Sequence, residues 1–304
     1  MESRPLGDTG IAVSRIILGC GNFGGIGSSP EFFGQGESEE HAFALMAAAW
    51  ERGITTFDTA DAYGGGRSET AIGRWMTARG VRPVLSTKVF NPMDAGEDGG
   101  LAPTRVRRQL ESSLERLGVD CVDMYLTHEP DPEVPLEETL DALDALVAEG
   151  KVAAVVGSNL DGPLLERAAG RYGWAQNSYS LLDRDAEADV LPICVRDGLG
   201  FTPFIPLAGG WLTGKYRRDE TPAAGSRMSM RPEPYEHLRT AQVFDGLEAL
   251  EARAAAADDD AATLAFAWLF AQPAVTAVVV GPRRPEQLEP ALRGLELRLS
   301  AAER

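Results

Sequence analysis

Val84-Leu85-Ser86-Thr87-Lys88 and Met124-Tyr125-Leu126-Thr127-His128 frame the stretch whose reading decides the fold. Each is a short apolar run of strand length, carrying β-branched or aromatic residues. Between them Arg105–Leu117 repeats its apolar residues with the period of a helix, and Thr104 stands just ahead as a start signal. Strand, loop, helix and strand in that order make one parallel unit. Both strands close on residues that suit a buried strand poorly, Lys88 and His128. Such side chains cost free energy there unless they partner one another.

The unit recurs along the chain. Strands are expected at Arg15–Leu18, Thr55–Asp58, Val84–Lys88, Asp123–Thr127, Ala153–Val156, Ala175–Asn177, Gly200–Phe204 and Ala277–Val280. Helical patterns lie between them at Glu39–Arg52, Glu69–Thr77, Arg105–Leu117, Leu136–Glu149, Gly162–Arg171, Ala188–Arg196, Leu238–Ala257 and Leu264–Ala271, and Pro285–Leu292 follows the last strand. Ser68 marks a helix start, and Gly53 and Gly150 mark helix ends. Strands alternating with helices give an α/β chain with a parallel sheet, read here as closed into a (β/α)8 TIM barrel. Arg4–Leu6 and Ile11–Ser14 flank Gly7–Gly10 and read as an N-terminal β-hairpin plug. Ala208–Glu236, the long loop after the seventh strand, exceeds an ordinary connection and reads as a lid over the barrel mouth. No long polar linker interrupts the pattern. Residues 1–304 are therefore expected to form a single domain, since one such barrel takes roughly 250 residues.

Composition narrows the function. Hydrophobic residues at 44 % and charged residues at 25 % suit a soluble globular protein. A net charge of −17 argues against nucleic acid or an anionic membrane as partner, because both repel an acidic surface. A small anionic ligand held by a few local cations stays open. Cys20, Cys121 and Cys194 are odd in number and scattered, with no CxxC and no Cys/His cluster, so reduced packing thiols and no metal are expected. Glu2, Arg4 and the turn at Gly7-Asp8-Thr9-Gly10 do not read as a signal peptide, and no apolar run reaches membrane-spanning length. A cytoplasmic protein is expected.

In a parallel barrel the active site forms where strands end at the C-terminal face. Those ends carry Asp58, Lys88, His128, Ser158-Asn159, Gln176, Phe204-Ile205-Pro206 and Gly281. Singly, Lys88 reads as a solvated strand edge, His128 as a core histidine, Asp58 as an Asx-turn and Tyr63 as a surface aromatic. Together they form a constellation on successive strands. Phe57-Asp58-Thr59-Ala60-Asp61-Ala62-Tyr63-Gly64 with Ser68-Glu69 resembles the signature of the aldo-keto reductases around their catalytic Asp and Tyr. Ser86-Thr87-Lys88 and Tyr125-Leu126-Thr127-His128 are similar to that family's lysine and histidine motifs, and Pro206-Leu207 through Leu212-Thr213-Gly214-Lys215-Tyr216 to its stretch after the seventh strand. The resemblance runs from about Arg4 to Leu292 and is nearest the branch of bacterial reductases and potassium-channel β-subunits.

That resemblance implies a catalytic tetrad of Asp58, Tyr63, Lys88 and His128 that reduces a small-molecule aldehyde or ketone with NADPH. Tyr63 would be the general acid, its pKa lowered from about 10 by Lys88. Asp58 would hold Lys88, and His128 would orient the carbonyl. Ser158, Asn159 and Gln176 would contact the nicotinamide amide, Phe204 would stack on the nicotinamide (its other reading being a core residue of the seventh strand), Pro206 and Leu207 would line the cofactor, and Gly281 to Gln287 would take the adenosine phosphate. The 2′-phosphate falls to Arg283 or Arg284, with Gln287 close by. Pro290-Ala291 departs from the Asn that relatives often carry there, which leaves adenine contacts open. A regulatory NADPH-binding protein like the channel subunits, and a reductase of activated C=C bonds, stand as alternatives. One pattern competes: Gly19-Cys20-Gly21-Asn22-Phe23-Gly24 is a GxGxxG after a strand. The dinucleotide fingerprint needs a helix opening at its third Gly, and helical periodicity here begins only near Glu39. By resemblance this loop lines the substrate pocket, with Phe23, Phe32 and Phe33 as candidate wall.

Overall fold

Parallel pairing runs through eight strands, and two backbone hydrogen bonds bridge the two end strands. The computed structural model describes residues 1–300 except 98 and 169. A two-stranded antiparallel hairpin comes first, β1 (Ser3–Pro5) and β2 (Ala12–Ser14). The barrel strands are β3 (Ile16–Gly19), β4 (Thr56–Asp58), β5 (Val84–Val89), β6 (Val122–Thr127), β7 (Val152–Ser158), β8 (Trp174–Gln176), β9 (Gly200–Phe201) and β10 (Val278–Val280). They pair in parallel from β3 to β9, and β10 pairs with β3 through Val278–Ile16 and Val280–Leu18. The last seam is made by Thr276 N–H on Phe201 O at 2.9 Å and Val279 N–H on Pro203 O at 2.9 Å. The eight parallel strands thus curl into a TIM-barrel-like (β/α)8 fold, the closed form favoured over an open sheet by the sequence reading.

Period-two alternation decides what faces inward. Ile17, Met124, Leu126, Ala154, Val156, Trp174 and Val279 share one cluster inside the barrel, and Leu6 of the hairpin packs into it. The hairpin is thus the expected plug. Ile16, Leu18, Phe57, Leu85, Val89, Tyr125 and Val155 point the other way, into the shell beneath the helices. Those helices are α1 (Glu39–Glu51), α2 (Arg67–Arg79), α3 (Pro103–Leu117), α4 (Leu136–Ala148), α5 (Gly162–Arg167), α6 (Val190–Asp197), α7 (Arg227–Met230), α8 (Ala241–Ala256), α9 (Ala261–Ala271) and α10 (Glu289–Glu296).

Several boundaries differ from the sequence reading. Ser68 does not cap α2, which starts one residue earlier behind Gly66 in the left-handed region. Its hydroxyl instead bonds the Cys20 carbonyl at 3.0 Å and pairs with Thr59 Oγ1 at 2.8 Å. Thr104 likewise lies inside α3, because Pro103 takes the first helical position that its ring favours. The segment after β9 is not a bare loop. It holds a 3₁₀ stretch at Ala208–Thr213, α7, and a second 3₁₀ stretch at Glu233–Leu238. Trp211, Leu212, Tyr216, Met228 and Leu238 of this segment build a buried cluster with Phe244 and Leu247 of α8. The GxGxxG stretch opens no α-helix, and Phe23 is buried core, at 1 % exposure, while Phe32 and Phe33 stay half-buried.

Candidate active site

The alternation that fills the barrel also delivers the polar side chains. Met124 and Leu126 point inward, so His128, two residues on, continues that face. Ser158 follows Ala154 and Val156 in the same phase, and Gln176 follows Trp174. On β5, Leu85 and Val89 face the helices, which leaves Ser86 and Lys88 facing in. One periodicity therefore gathers side chains from four strands at the mouth, and Asp58, next to the helix-facing Phe57 on β4, adds a fifth.

Lys88 is the centre. Its Nζ lies 2.5 Å from Asp58 Oδ2, 2.9 Å from the Thr59 carbonyl oxygen and 3.4 Å from Tyr63 Oη. The lysine and aspartate side chains are only 2 % and 5 % exposed. Asp58 Oδ1 accepts from Ser86 Oγ at 2.5 Å and from Gln176 Nε2 at 3.3 Å. Burial disfavours the ammonium, but Asp58 and Tyr63 outweigh it and hold the Lys88 pKa above its ordinary value. Tyr63 contradicts the sequence reading of its acidity. Burial raises the phenol above its usual value, and Asp58 adds to the rise, against the downward pull of Lys88. The phenol is therefore held protonated rather than poised near neutrality.

His128 stands across from Tyr63, the two rings edge to face with centroids 5.5 Å apart. Burial, reinforced by the Lys88 charge, pushes its pKa well below the usual imidazole value, so the ring is neutral at physiological pH. Asn91 Nδ2 lies 3.1 Å from His128 Nδ1. An amide nitrogen only donates, so Nδ1 accepts and the ring proton sits on Nε2. Asn91 is in turn anchored through its backbone carbonyl by Arg105 Nη2 at 2.7 Å. The sequence carried no signal for Asn91, which lies three residues past Lys88 and outside the strand period.

Asn159, in the left-handed region at φ 56°, donates from Nδ2 to the His128 carbonyl and to Glu129 Oε1, both at 3.0 Å. Its backbone N–H reaches the Gln176 carbonyl at 3.1 Å. Ser158 Oγ is buried with no hydrogen-bond partner among the described residues. Phe204, Pro206 and Leu207 follow β9 at the mouth, where Ile205 holds φ 53°, a strained value for a β-branched residue. Gly281 lies against Gly19 at the end of β3. Arg283, Arg284 and Gln287 form a separate group after β10: Gln287 Oε1 accepts the backbone N–H groups of Arg283 and Arg284 at 2.6 and 3.2 Å. Among the described residues none of the three bonds to the tetrad. The Arg283 guanidinium is engaged, by Glu37 Oε1 at 2.6 Å and the Gly225 carbonyl at 3.3 Å.

A buried ammonium between a carboxylate and a phenol, on a closed eight-stranded barrel, invites comparison with known proteins. The model of the aldo/keto reductase family matches residues 15–304. The chain belongs to the aldo/keto reductase family. It is therefore an oxidoreductase of a family that uses nicotinamide cofactors. An uncharacterized oxidoreductase of Bacillus subtilis is 36 % identical over 98 % of this chain and 92 % of its own length. An NADH-specific methylglyoxal reductase of Escherichia coli is 31 % identical over the whole chain and 96 % of its own. A glycerol dehydrogenase structure from Gluconobacter oxydans superposes with a TM-score of 0.84 at 24 % identity, covering 99 % of this chain and 92 % of that one, which speaks for the fold alone. Among the described residues of this reductase no helix is long and apolar enough to cross a membrane, and no group of three or more His, Cys, Asp or Glu is placed to hold a metal.

Proposed function

We propose that this reductase converts an aldehyde or ketone of a small molecule to the alcohol with NADPH, through Asp58, Tyr63, Lys88 and His128. The observation that carries the reading is the contact of Lys88 Nζ with both Asp58 and Tyr63 Oη in a buried site. The cofactor, when bound, supplies the hydride. As the carbonyl carbon takes it, negative charge grows on the oxygen, and two donors are available there. One is Tyr63 Oη–H, the proton source; Lys88 stabilises the phenolate left behind, which offsets part of the burial cost. The other is the Nε2–H of neutral His128, fixed by Asn91.

The residues beside this centre fit a nicotinamide carboxamide, which offers one acceptor and two donor hydrogens. Ser158 Oγ is an unpaired buried hydroxyl able to donate. Asn159 and Gln176 spend their amide nitrogens on protein partners and leave their side-chain oxygens to accept. Phe204, Pro206, Leu207 and Gly281 line the way toward Arg283, Arg284 and Gln287. Two adjacent arginines at a strand end in a chain of net charge −17 support a 2′-phosphate, and hence NADPH rather than the NADH of the Escherichia coli relative. Arg284 makes no ion pair among the described residues and is the freer of the two. The same reading takes residues 1–304 as one domain and the protein as cytoplasmic, consistent with its free thiols at Cys20, Cys121 and Cys194. Oxidation of NADPH and NADH with 4-nitrobenzaldehyde tests it. Turnover with NADPH preferred is expected; binding of cofactor without turnover on any aldehyde or ketone offered would sink the carbonyl-reductase reading.

A further inference from the structure

Glu37 is a buried carboxylate that the chemistry above does not use. It lies 9 % exposed just before α1, and its backbone is pinned on both sides. Its N–H donates to the Asn22 carbonyl at 2.7 Å, and its carbonyl accepts from Gly24 N–H at 2.9 Å. Gly36 makes that close folding possible, since a Cβ there would sit 2.1 Å from the Gly25 carbonyl oxygen. The side chain is thereby aimed at one cation, with Oε1 2.6 Å from Arg283 Nε. Apart from that pair, among the described residues only His41 Nδ1 is within ion-pair reach, 3.6 Å from Oε2. Arg283 also reaches the Gly225 carbonyl of the segment after β9 at 3.3 Å. Three loops of the barrel mouth, those after β3, β9 and β10, converge on this single guanidinium.

We propose that Glu37 limits the preference of this reductase for NADPH, by neutralising Arg283 and so weakening the hold on the 2′-phosphate of NADPH relative to the 2′-hydroxyl of NADH. The inference rests on the reading that the Arg283-Arg284 pair faces that position. A phosphate dianion brought to Arg283 also meets the Glu37 carboxylate on the same guanidinium, and like charges at that range repel. A neutral hydroxyl meets no such repulsion and finds in the carboxylate an acceptor. Arg284, without an acidic partner among the described residues, then carries most of the attraction for phosphate. Glu37 acts as a positioning and specificity residue, not as one that touches the reacting atoms.

Glu37→Gln separates charge from structure, because the amide oxygen still accepts from Arg283 Nε while the negative charge is gone. The probes are NADPH, NADH, adenosine 2′,5′-bisphosphate and adenosine 5′-monophosphate, titrated calorimetrically on the full chain. Glu37→Gln is expected to bind NADPH and the bisphosphate about fivefold tighter, the scale of one partly exposed charge interaction. NADH and the monophosphate should change by less than about twofold by the same arithmetic. The gain should shrink in high salt and vanish in an Arg283→Ala background. Glu37→Ala, with thermal unfolding as a control on folding, gives the same direction with the hydrogen bond also lost. Equal changes for NADPH and NADH, or weaker NADPH binding by Glu37→Gln, overturn the assignment. Arg284→Ala tells the two layers apart. If it shifts the NADPH-to-NADH ratio while Glu37→Gln does not, only the Glu37 assignment falls. If neither arginine variant shifts that ratio, the reading of the phosphate site falls with it.

Discussion

Replacing Asp58 by Asn removes the only carboxylate, among the described residues, within hydrogen-bond reach of the Lys88 ammonium and leaves that charge with Thr59 O at 2.9 Å and Tyr63 Oη at 3.4 Å. Both side chains of the pair are nearly inaccessible to water, at 2 % and 5 %. Breaking a pair this buried costs about 3–5 kcal/mol, whereas replacing both members by neutral groups of similar shape is close to neutral. Lys88→Met is milder than Asp58→Asn, because Asp58 keeps its donors Ser86 Oγ and Gln176 Nε2. The expected order of destabilisation is Asp58→Asn first, Lys88→Met second, and the double variant least or equal to Lys88→Met. The coupling energy should therefore offset the singles by at least about 2 kcal/mol. A pH signature follows. Without Asp58, burial wins and the folded lysine loses its proton more easily than the unfolded one. The unfolded state then binds more protons below the unfolded lysine pKa, so stability of Asp58→Asn rises with pH from neutrality toward about 10. Denaturant unfolding of all four proteins at pH 7 and pH 9 reads both effects. Additive single-variant costs, or an Asp58→Asn protein whose stability ignores pH, would show that the pair is not the electrostatic unit described.

Asp61 lies fully buried on the loop after β4, with Oδ2 unpaired among the described residues and its pKa pushed up to about 8 by burial and by nearby Glu69. The folded protein holds this proton where the unfolded one has lost it, so stability should fall as pH rises from about 4 through about 8. Asp61→Asn is expected to flatten that slope and raise Tm at pH 8 by several degrees; an unchanged slope would show that Asp61 ionises freely in the folded protein. Asn91→Leu should lower kcat by about tenfold, the worth of one hydrogen bond at roughly 1.4 kcal/mol, with NADPH binding intact. Nitrogen-15 spectra should show His128 as a single Nε2–H tautomer in the parent and a mixture in the variant, and a parent already mixed would dismiss the role of Asn91.

The barrel and its polar mouth were legible because one physical rule wrote both. Short β-branched runs recurring between helical patterns marked the strands, their polar ends stood out where apolar residues were expected, and the alternation in the structure carries Asp58, Lys88, His128, Ser158 and Gln176 onto the inner face. What stayed hidden was set by contacts between residues distant in sequence. Asn91 owes its place to Arg105 and His128, and Glu37 meets Arg283 across 246 positions. The segment after β9 gave no periodic signal because its one-turn elements pass through left-handed glycines, Gly209 at φ 65° and Gly210 at φ 98°. The acidity of Tyr63 was read with the wrong sign: the sequence shows the lysine that lowers it but not the depth of burial that raises it.

In the proposed reaction Tyr63 delivers the proton to the reduced carbonyl. Rapid mixing of the NADPH complex of Tyr63→Phe with 4-nitrobenzaldehyde measures it at the chemical step, free of product release. The hydride-transfer rate should fall by about a hundredfold or more, the scale of a lost general acid, with the Kd for NADPH unchanged within about twofold. Because the phenol is held protonated well past neutrality, the parent rate should stay flat between pH 6 and pH 9 and decline only at higher pH. A Tyr63→Phe protein that transfers hydride at the parent rate would contradict the account and remove Tyr63 from the mechanism.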